Sequence, residues 1–170
     1  MKTDFTIRQA QQSDVVALKE LFQNTVIVIN RRDYSQVEVE DWASCGDDLS
    51  NIEEMIKTHY FIVAVNQQSQ IVGFSSITPQ GYLHSMFVHK DFQGEGIATM
   101  LLEEIERYAI TAGITRITSE VSLTARPFFE KKGYAVEKEQ KRKANQLSLT
   151  NFLMAKEVAF LEYYNKKVTD

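Results

Sequence analysis

Three strand-like runs, Tyr60 to Val65, Ile71 to Ile77 and Tyr82 to Val88, follow one another with only short polar or Gly/Pro turns between them, Asn66 to Gln70 and Pro79-Gln80-Gly81. A parallel crossover needs a dozen or more residues, so connections this short return each strand antiparallel beside the one before. The middle of the chain is therefore an antiparallel meander that the flanking segments must cover. Helical spacing supplies the cover. Val15, Leu18, Phe22 and Val26 recur at the period of a helix after a short first strand, Phe5-Thr6-Ile7-Arg8, with Ser13 as its N-cap. Ser35 with Glu38, and Ser50 with Glu53, read as capping boxes and predict two short helices carrying Val37 and Trp42, then Ile52, Met55 and Ile56. Ile97, Leu101, Ile105 and Tyr108 mark a longer amphipathic helix that stops at Gly113. Beyond it the pattern predicts a strand over Ile114 to Val121, a short helix over Ala125 to Lys132 with Pro127 in its first turn, and two strands over about Tyr134 to Lys138 and Leu147 to Lys156.

With 170 residues, 44% hydrophobic and 25% charged, the chain has enough apolar material for one core, and 7 Gly and 2 Pro leave little for long linkers. We read residues 1–158 as a single domain and residues 159–170 as a helical C-terminal extension. In that extension Phe160, Tyr163 and Tyr164 would pack on the sheet or on a second copy, which makes a homodimer one expectation. The longest apolar run, Tyr60 to Val65, falls far short of the roughly 18 residues a membrane span requires. Asp4 and the polar Arg8, Gln9, Gln11 and Gln12 interrupt any signal-peptide core, so the expected setting is cytoplasmic with no membrane partner. A net charge of −4 argues against a nucleic-acid partner. A lone Cys45 and three histidines without ligand spacing, His59, His84 and His89, predict no metal.

Chemistry concentrates between the third strand and the long helix, in Val88-His89-Lys90-Asp91-Phe92-Gln93-Gly94-Glu95-Gly96-Ile97-Ala98. Two glycines allow a sharp turn and close backbone approach, while the unpaired amides and positive dipole end of the helix face whatever lies ahead. Such a loop suits an anion, above all a phosphate. A Walker loop requires Gly-Lys-Ser/Thr where Gly96 is followed by Ile97-Ala98. A dinucleotide loop would need Gly or Ala at Thr99 and normally follows the first strand of a parallel unit, which the meander opposes, although Glu120 stands where a ribose-binding acid would.

Gln93-x-x-Gly96-x-Ala98 resembles the Gln/Arg-x-x-Gly-x-Gly/Ala motif of the GCN5-related N-acetyltransferase (GNAT) superfamily, and Ser122 to Tyr134, with Ala125, Phe128-Phe129, Glu130-Lys131 and Gly133-Tyr134, resembles its second signature. The resemblance extends over Phe5 to Val158 and implies an α/β acyl-CoA N-acyltransferase fold, a mixed and mostly antiparallel sheet of about seven strands flanked by helices. It further implies an enzyme that moves the acetyl group of acetyl-CoA to a primary amine of a small molecule or peptide. The competing expectation is a non-catalytic acyl-CoA-binding module. By the same resemblance, the backbone of Met86, Phe87 and Val88 would bind the pantetheine arm, Gln93, Gly94, Glu95, Gly96, Ile97 and Ala98 the pyrophosphate, and Ser122 would stand near the cofactor. The thioester would lie between splayed fourth and fifth strands.

Acetyl transfer needs a neutral amine and a proton for the departing sulfur. The resemblance points to a tyrosine as proton donor, but the matching position is Phe129, which has no proton to give. His84, Tyr82 and Tyr134 are the remaining candidates, with Glu120 at the end of the next strand. His84 shares a strand face with Met86 and Val88, and an ordinary imidazole titrates near 6.5, as a general base requires. Each also has a structural reading, the histidine as a half-exposed strand residue and the tyrosines as core aromatics. Arg31-Arg32-Asp33, Tyr34 and Trp42 are candidates for the acceptor side. Lys138, Lys141, Arg142 and Lys143 read as a solvated hairpin tip or a contact for the 3′-phosphate of CoA.

Overall fold

The computed structural model describes residues 4–159, so the expected C-terminal helix with Phe160, Tyr163 and Tyr164 lies outside the described residues. Strands β2 (Tyr60–Val65), β3 (Ile71–Ile77) and β4 (Leu83–Val88) form the antiparallel meander that their turns dictate, and β1 (Thr6–Gln9) pairs with the other edge of β2. The sheet order is β1-β2-β3-β4. β3 is buried at every residue because helices cover both faces. On one face α4 (Ile97–Thr111) sets Leu101 and Ile105 against Ile62 and Ile77. On the other, α1 (Val15–Val28) and α3 (Leu49–Thr58) set Leu18 and Ile52 against Phe61, Val63 and Phe74. The alternation of Phe61 and Val63 with Ile62 and Ala64 divides β2 between these two cores. Among the described residues no helix is long and apolar enough to cross a membrane.

The second sheet has the order β5-β7-β6, built antiparallel from β5 (Arg116–Ser122), β7 (Ser148–Glu157) and β6 (Ala135–Lys143), with the short helix α5 (Arg126–Lys131) after β5. The two sheets meet at a parallel bridge between Tyr82 and Thr118. Two further bonds seal this junction, Thr118 N–H to Gly81 O at 3.0 Å and Ser119 Oγ to Leu83 O at 2.8 Å. Past the junction β4 and β5 diverge, and a mixed, mostly antiparallel array of strands opens into a cleft.

Several local expectations shift. The Ser35–Glu38 capping box opens α2 (Gln36–Ser44) as read from the sequence. α3 instead starts at Leu49, because the Asp48 carboxylate accepts from Ser50 N–H at 3.0 Å and takes the cap that Ser50 was expected to fill. Ser13 lies inside a 3-10 turn over Gln12–Asp14, where Asp14 accepts from Gln11 N–H at 2.8 Å and pairs with Arg8. Lys138 to Lys143 do not form a hairpin tip. They continue β6, an edge strand whose outer row of charges discourages further pairing. The tip lies at 144–147, closed by Ala144 N–H to Leu147 O. The Asp41 carboxylate of α2 holds it by accepting from the backbone N–H groups of Asn145, Gln146 and Leu147 at 2.9–3.1 Å.

Candidate active site

The divergence of β4 from β5 creates a cleft of ≈ 990 Å³. That is the upper end of the usual range for small-molecule sites, enough for two reactants side by side. His89 N–H bonds to Val72 O, so alternation along β4 directs the backbone of Phe87 to β3 and that of Met86 and Val88 into the cleft. Val88 O already accepts from Thr25 Oγ1 at 3.0 Å and Gln93 Nε2 at 2.7 Å, which leaves its N–H and the Met86 groups for a bound arm. Of the three residues expected to offer backbone, two face the cleft, and Phe87 contributes its ring.

At the wide end lies the loop from Gln93 to Ala98. Gly94 and Gly96 have φ of 76° and 82°, the left-handed region that glycine enters without strain, and Gly96 is the N-cap of α4. A Cβ at either position would meet nothing within 4 Å, so the backbone borders open space rather than packed protein. The Gln93 side chain bends back onto the Val88 and His89 carbonyls and stiffens the turn. Gln93, Gly94, Gly96, Ile97 and Ala98 line the cleft, whereas Glu95 is exposed and does not. The first-turn amides of α4 have no intrahelical acceptors, and with the dipole they form a cradle whose chemistry suits a pyrophosphate.

Opposite, Ser122 lines the cleft and its hydroxyl accepts from Ala125 N–H at 3.0 Å, shaping the turn into α5. Beside it is Thr124, absent from the sequence expectations. Its Oγ1 is the one buried side-chain polar atom without a hydrogen-bond partner among the described residues, and Thr124 lines the cleft. A buried hydroxyl without a partner is costly, which makes Thr124 a candidate contact for a molecule in the cleft. No motif marks it, since threonine is unremarkable in a turn.

The narrow end holds His84, Tyr82, His59 and Glu120. His84 is open to the cleft, with its ring 5.8 Å from that of Tyr82 and 5.5 Å from that of His59. Displacement of water by the surrounding walls, followed by the nearby His59, holds His84 below the ordinary imidazole value, with Glu120 opposing. Burial, followed by Glu120, pushes the Tyr82 phenol up to about 12. Glu120 itself pairs with Arg142 of β6 at 3.0 Å. Tyr134 is placed elsewhere. It is buried in the α4 core with its hydroxyl donating to Glu106 at 3.3 Å, and it is not among the cleft-lining residues. The Gly133 turn folds it inward beside Phe129.

Of the residues expected on the acceptor side, Tyr34 and Trp42 line the cleft, but Arg31, Arg32 and Asp33 do not. Tyr34 is a tie between elements, its hydroxyl donating to Thr150 O at 2.6 Å and accepting from Leu123 N–H at 3.0 Å. Trp42 packs edge-on against Phe22, Tyr34 and Phe87.

A family model described as the acetyltransferase (GNAT) domain matches residues 30–157. The chain belongs to the GNAT acetyltransferase family. It is 28% identical over 148 residues to the uncharacterized N-acetyltransferase YafP of Escherichia coli, covering 87% of this chain and 93% of that protein. It superimposes on the structure of a GCN5-related N-acetyltransferase from Rhodopseudomonas palustris with a TM-score of 0.86 at 26% identity, over 90% of this chain and 95% of the other. The PaiA N-acetyltransferase of Thermoplasma acidophilum, solved in complex with coenzyme A, shares the fold with a TM-score of 0.74 at 19% identity, over 90% and 98% of the two chains. GNAT membership makes this an acyltransferase, and N-acetyltransferase relatives of near full length do not favour the non-catalytic module.

Proposed function

We propose that the protein transfers the acetyl group of acetyl-CoA to a primary amine of a small molecule or peptide, within the cleft between β4 and β5. The observation that carries this reading is the pair of left-handed glycines at the start of α4, which open onto a cleft already split along a strand edge. The loop from Gln93 to Ala98 would hold the pyrophosphate, the Met86 backbone and Val88 N–H the pantetheine arm, and Thr124 Oγ1 a polar atom of the cofactor. Bound acetyl-CoA supplies an activated acetyl thioester. His84 removes a proton from the acceptor ammonium, so that the amine lone pair is free to form the new bond. Tyr82 stays protonated across the working range and donates toward the sulfur as the C–S bond breaks, and the proton that the newly acylated nitrogen sheds restores the phenol. Trp42 and Tyr34 wall the side from which the acceptor enters.

Release of free thiol from acetyl-CoA in the presence of a library of amines tests this. The His84→Gln variant should retain cofactor affinity and lose about 10²- to 10⁴-fold in kcat/KM on any amine the wild type accepts, the span that general-base catalysis supplies. The sign of the pH dependence follows from the depressed imidazole. Only neutral His84 accepts a proton, so the rate falls as pH drops through its folded value, and the acid limb lies below 6.5. Unchanged turnover in His84→Gln, or an acid limb above 6.5, would remove His84 from the base role.

A further inference from the structure

His59 and His84 are distant in sequence and adjacent in space. His59 caps the C-terminus of α3, its N–H bonded to Met55 O at 2.8 Å, and burial holds its imidazole below the ordinary value. Its Nδ1 lies 3.4 Å from Ser76 Oγ, and Ser76 Oγ lies 2.7 Å from Ser85 Oγ on β4. Both serines are buried, so this chain of hydroxyls fixes the His59 ring beside the strand that carries His84. The two ring centroids are 5.5 Å apart at an interplanar angle of 59°, and both rings line the cleft. Two cations at that separation repel.

We propose that His59 is a positioning residue for this reaction: its imidazole and that of His84 form a pair that holds at most one proton, so that as the pH falls a proton taken up by His59 keeps a second one off His84 and leaves it able to accept from the acceptor amine. The catalytic consequence rests on the reading of His84 as the base; the pairing itself does not. The other groups around His84 are Tyr82 on its own strand, Glu120 of β5, Arg142 of β6 bound to that glutamate, and the cleft-lining Glu54 of α3. None of them changes when His59 is replaced, so a shift in His84 on substitution reports the pair. Displacement of water by the cleft walls also depresses the proton affinity of His84, and the effect of His59 adds to it.

The test is an NMR titration of the imidazole Cε1–H signals in the full chain, read for His84 with His89 as an internal control. In His59→Asn the amide can still donate to Ser76 but carries no charge, and the His84 midpoint should move to higher pH. In His59→Lys the charge is permanent, and the midpoint should move to lower pH. Opposite movement in the two variants, with His89 unmoved, is the expected result; no movement, or the same movement in both, overturns the pairing. Should either variant fail to fold, the wild type and His84→Gln suffice. His59 should titrate over a broader range than a single isolated site in the wild type, and should shift upward and sharpen in His84→Gln. A simple isolated curve in both would overturn the proposal. The titration needs no substrate, so an absence of acetyl transfer would count against the enzymatic reading and leave this measurement standing.

Discussion

Thr124 and Tyr34 show two opposite uses of a hydroxyl in this cleft. Tyr34 satisfies a buried N–H and a buried C=O at once and ties the start of α2 to the second sheet. Thr124 Oγ1 has no partner among the described residues, which leaves it to a molecule in the cleft. Thr124→Val keeps the shape and removes the hydroxyl. It should leave the ligand-free protein equally or more stable in a thermal melt, because an unpaired buried hydroxyl is lost. Acetyl-CoA affinity measured by calorimetry should fall about 2- to 10-fold, the worth of one neutral hydrogen bond. Undiminished affinity would mean that Thr124 does not touch the cofactor. At this scale the sequence is only partly legible. Gln93, Gly94 and Gly96 are visible because a motif records both the two backbone turns and the side chain that stiffens them. His59 is invisible because its partner is on another strand, and Tyr134 misleads because a turn decides whether it faces the cleft or the core.

Among the elements, α4 matters most, since its first turn is the cradle. Its position is set at Gly73 of β3, where a Cβ would come within 2.8 Å of Ile97 Cγ2 and 3.1 Å of Leu101 Cδ1. The helix therefore rests directly on the sheet, and Ile97, the first helical residue, is anchored by the same contact that orients the cradle. Gly73→Val should push α4 outward, cost about 1–3 kcal/mol as overpacking does, and weaken acetyl-CoA binding in parallel. A stability loss seen in chemical denaturation with unchanged cofactor affinity would separate the helix position from the cradle. The meander and α4 were readable from short turns and from a 3.6-residue period that ends at Gly113. The ends of α3 and β6 were not. Asp48 and Ser50 are equally good caps by type, and which one bonds is a matter of backbone approach. The charged run from Lys138 to Lys143 looks like a tip because its sequence carries no alternation, yet an edge strand with one neighbour needs none.

Among the described residues the protein is two sheets joined at Tyr82 and Thr118, and a cleft opens where they fail to join beyond that point. A continuous sheet would hydrogen-bond β4 to β5 and leave no strand edge to read a ligand's amides. The split exposes the Met86 and Val88 groups, brings β5 residues opposite them, and places the α4 cradle at one end and the histidine pair at the other. The fold class was legible from the order of strands, loop and helix. The wall of the cleft formed by Trp42 and Tyr34 was less so, because these residues and the hairpin tip meet there only through Asp41 and long-range packing. On the proposed function, the loop at the start of α4 binds the pyrophosphate of acetyl-CoA. A thermal-shift titration of wild type and Gly96→Trp with acetyl-CoA, CoA, NAD and ATP addresses it, since a ligand that binds only the folded state stabilises it by about 2.7 kcal/mol at a hundredfold excess over Kd. The expected result is stabilisation of the wild type by acetyl-CoA and CoA alone, abolished in Gly96→Trp, whose side chain fills the open space before the loop. No response to either thioester or thiol, a response to NAD instead, or an undiminished response in Gly96→Trp would contradict it.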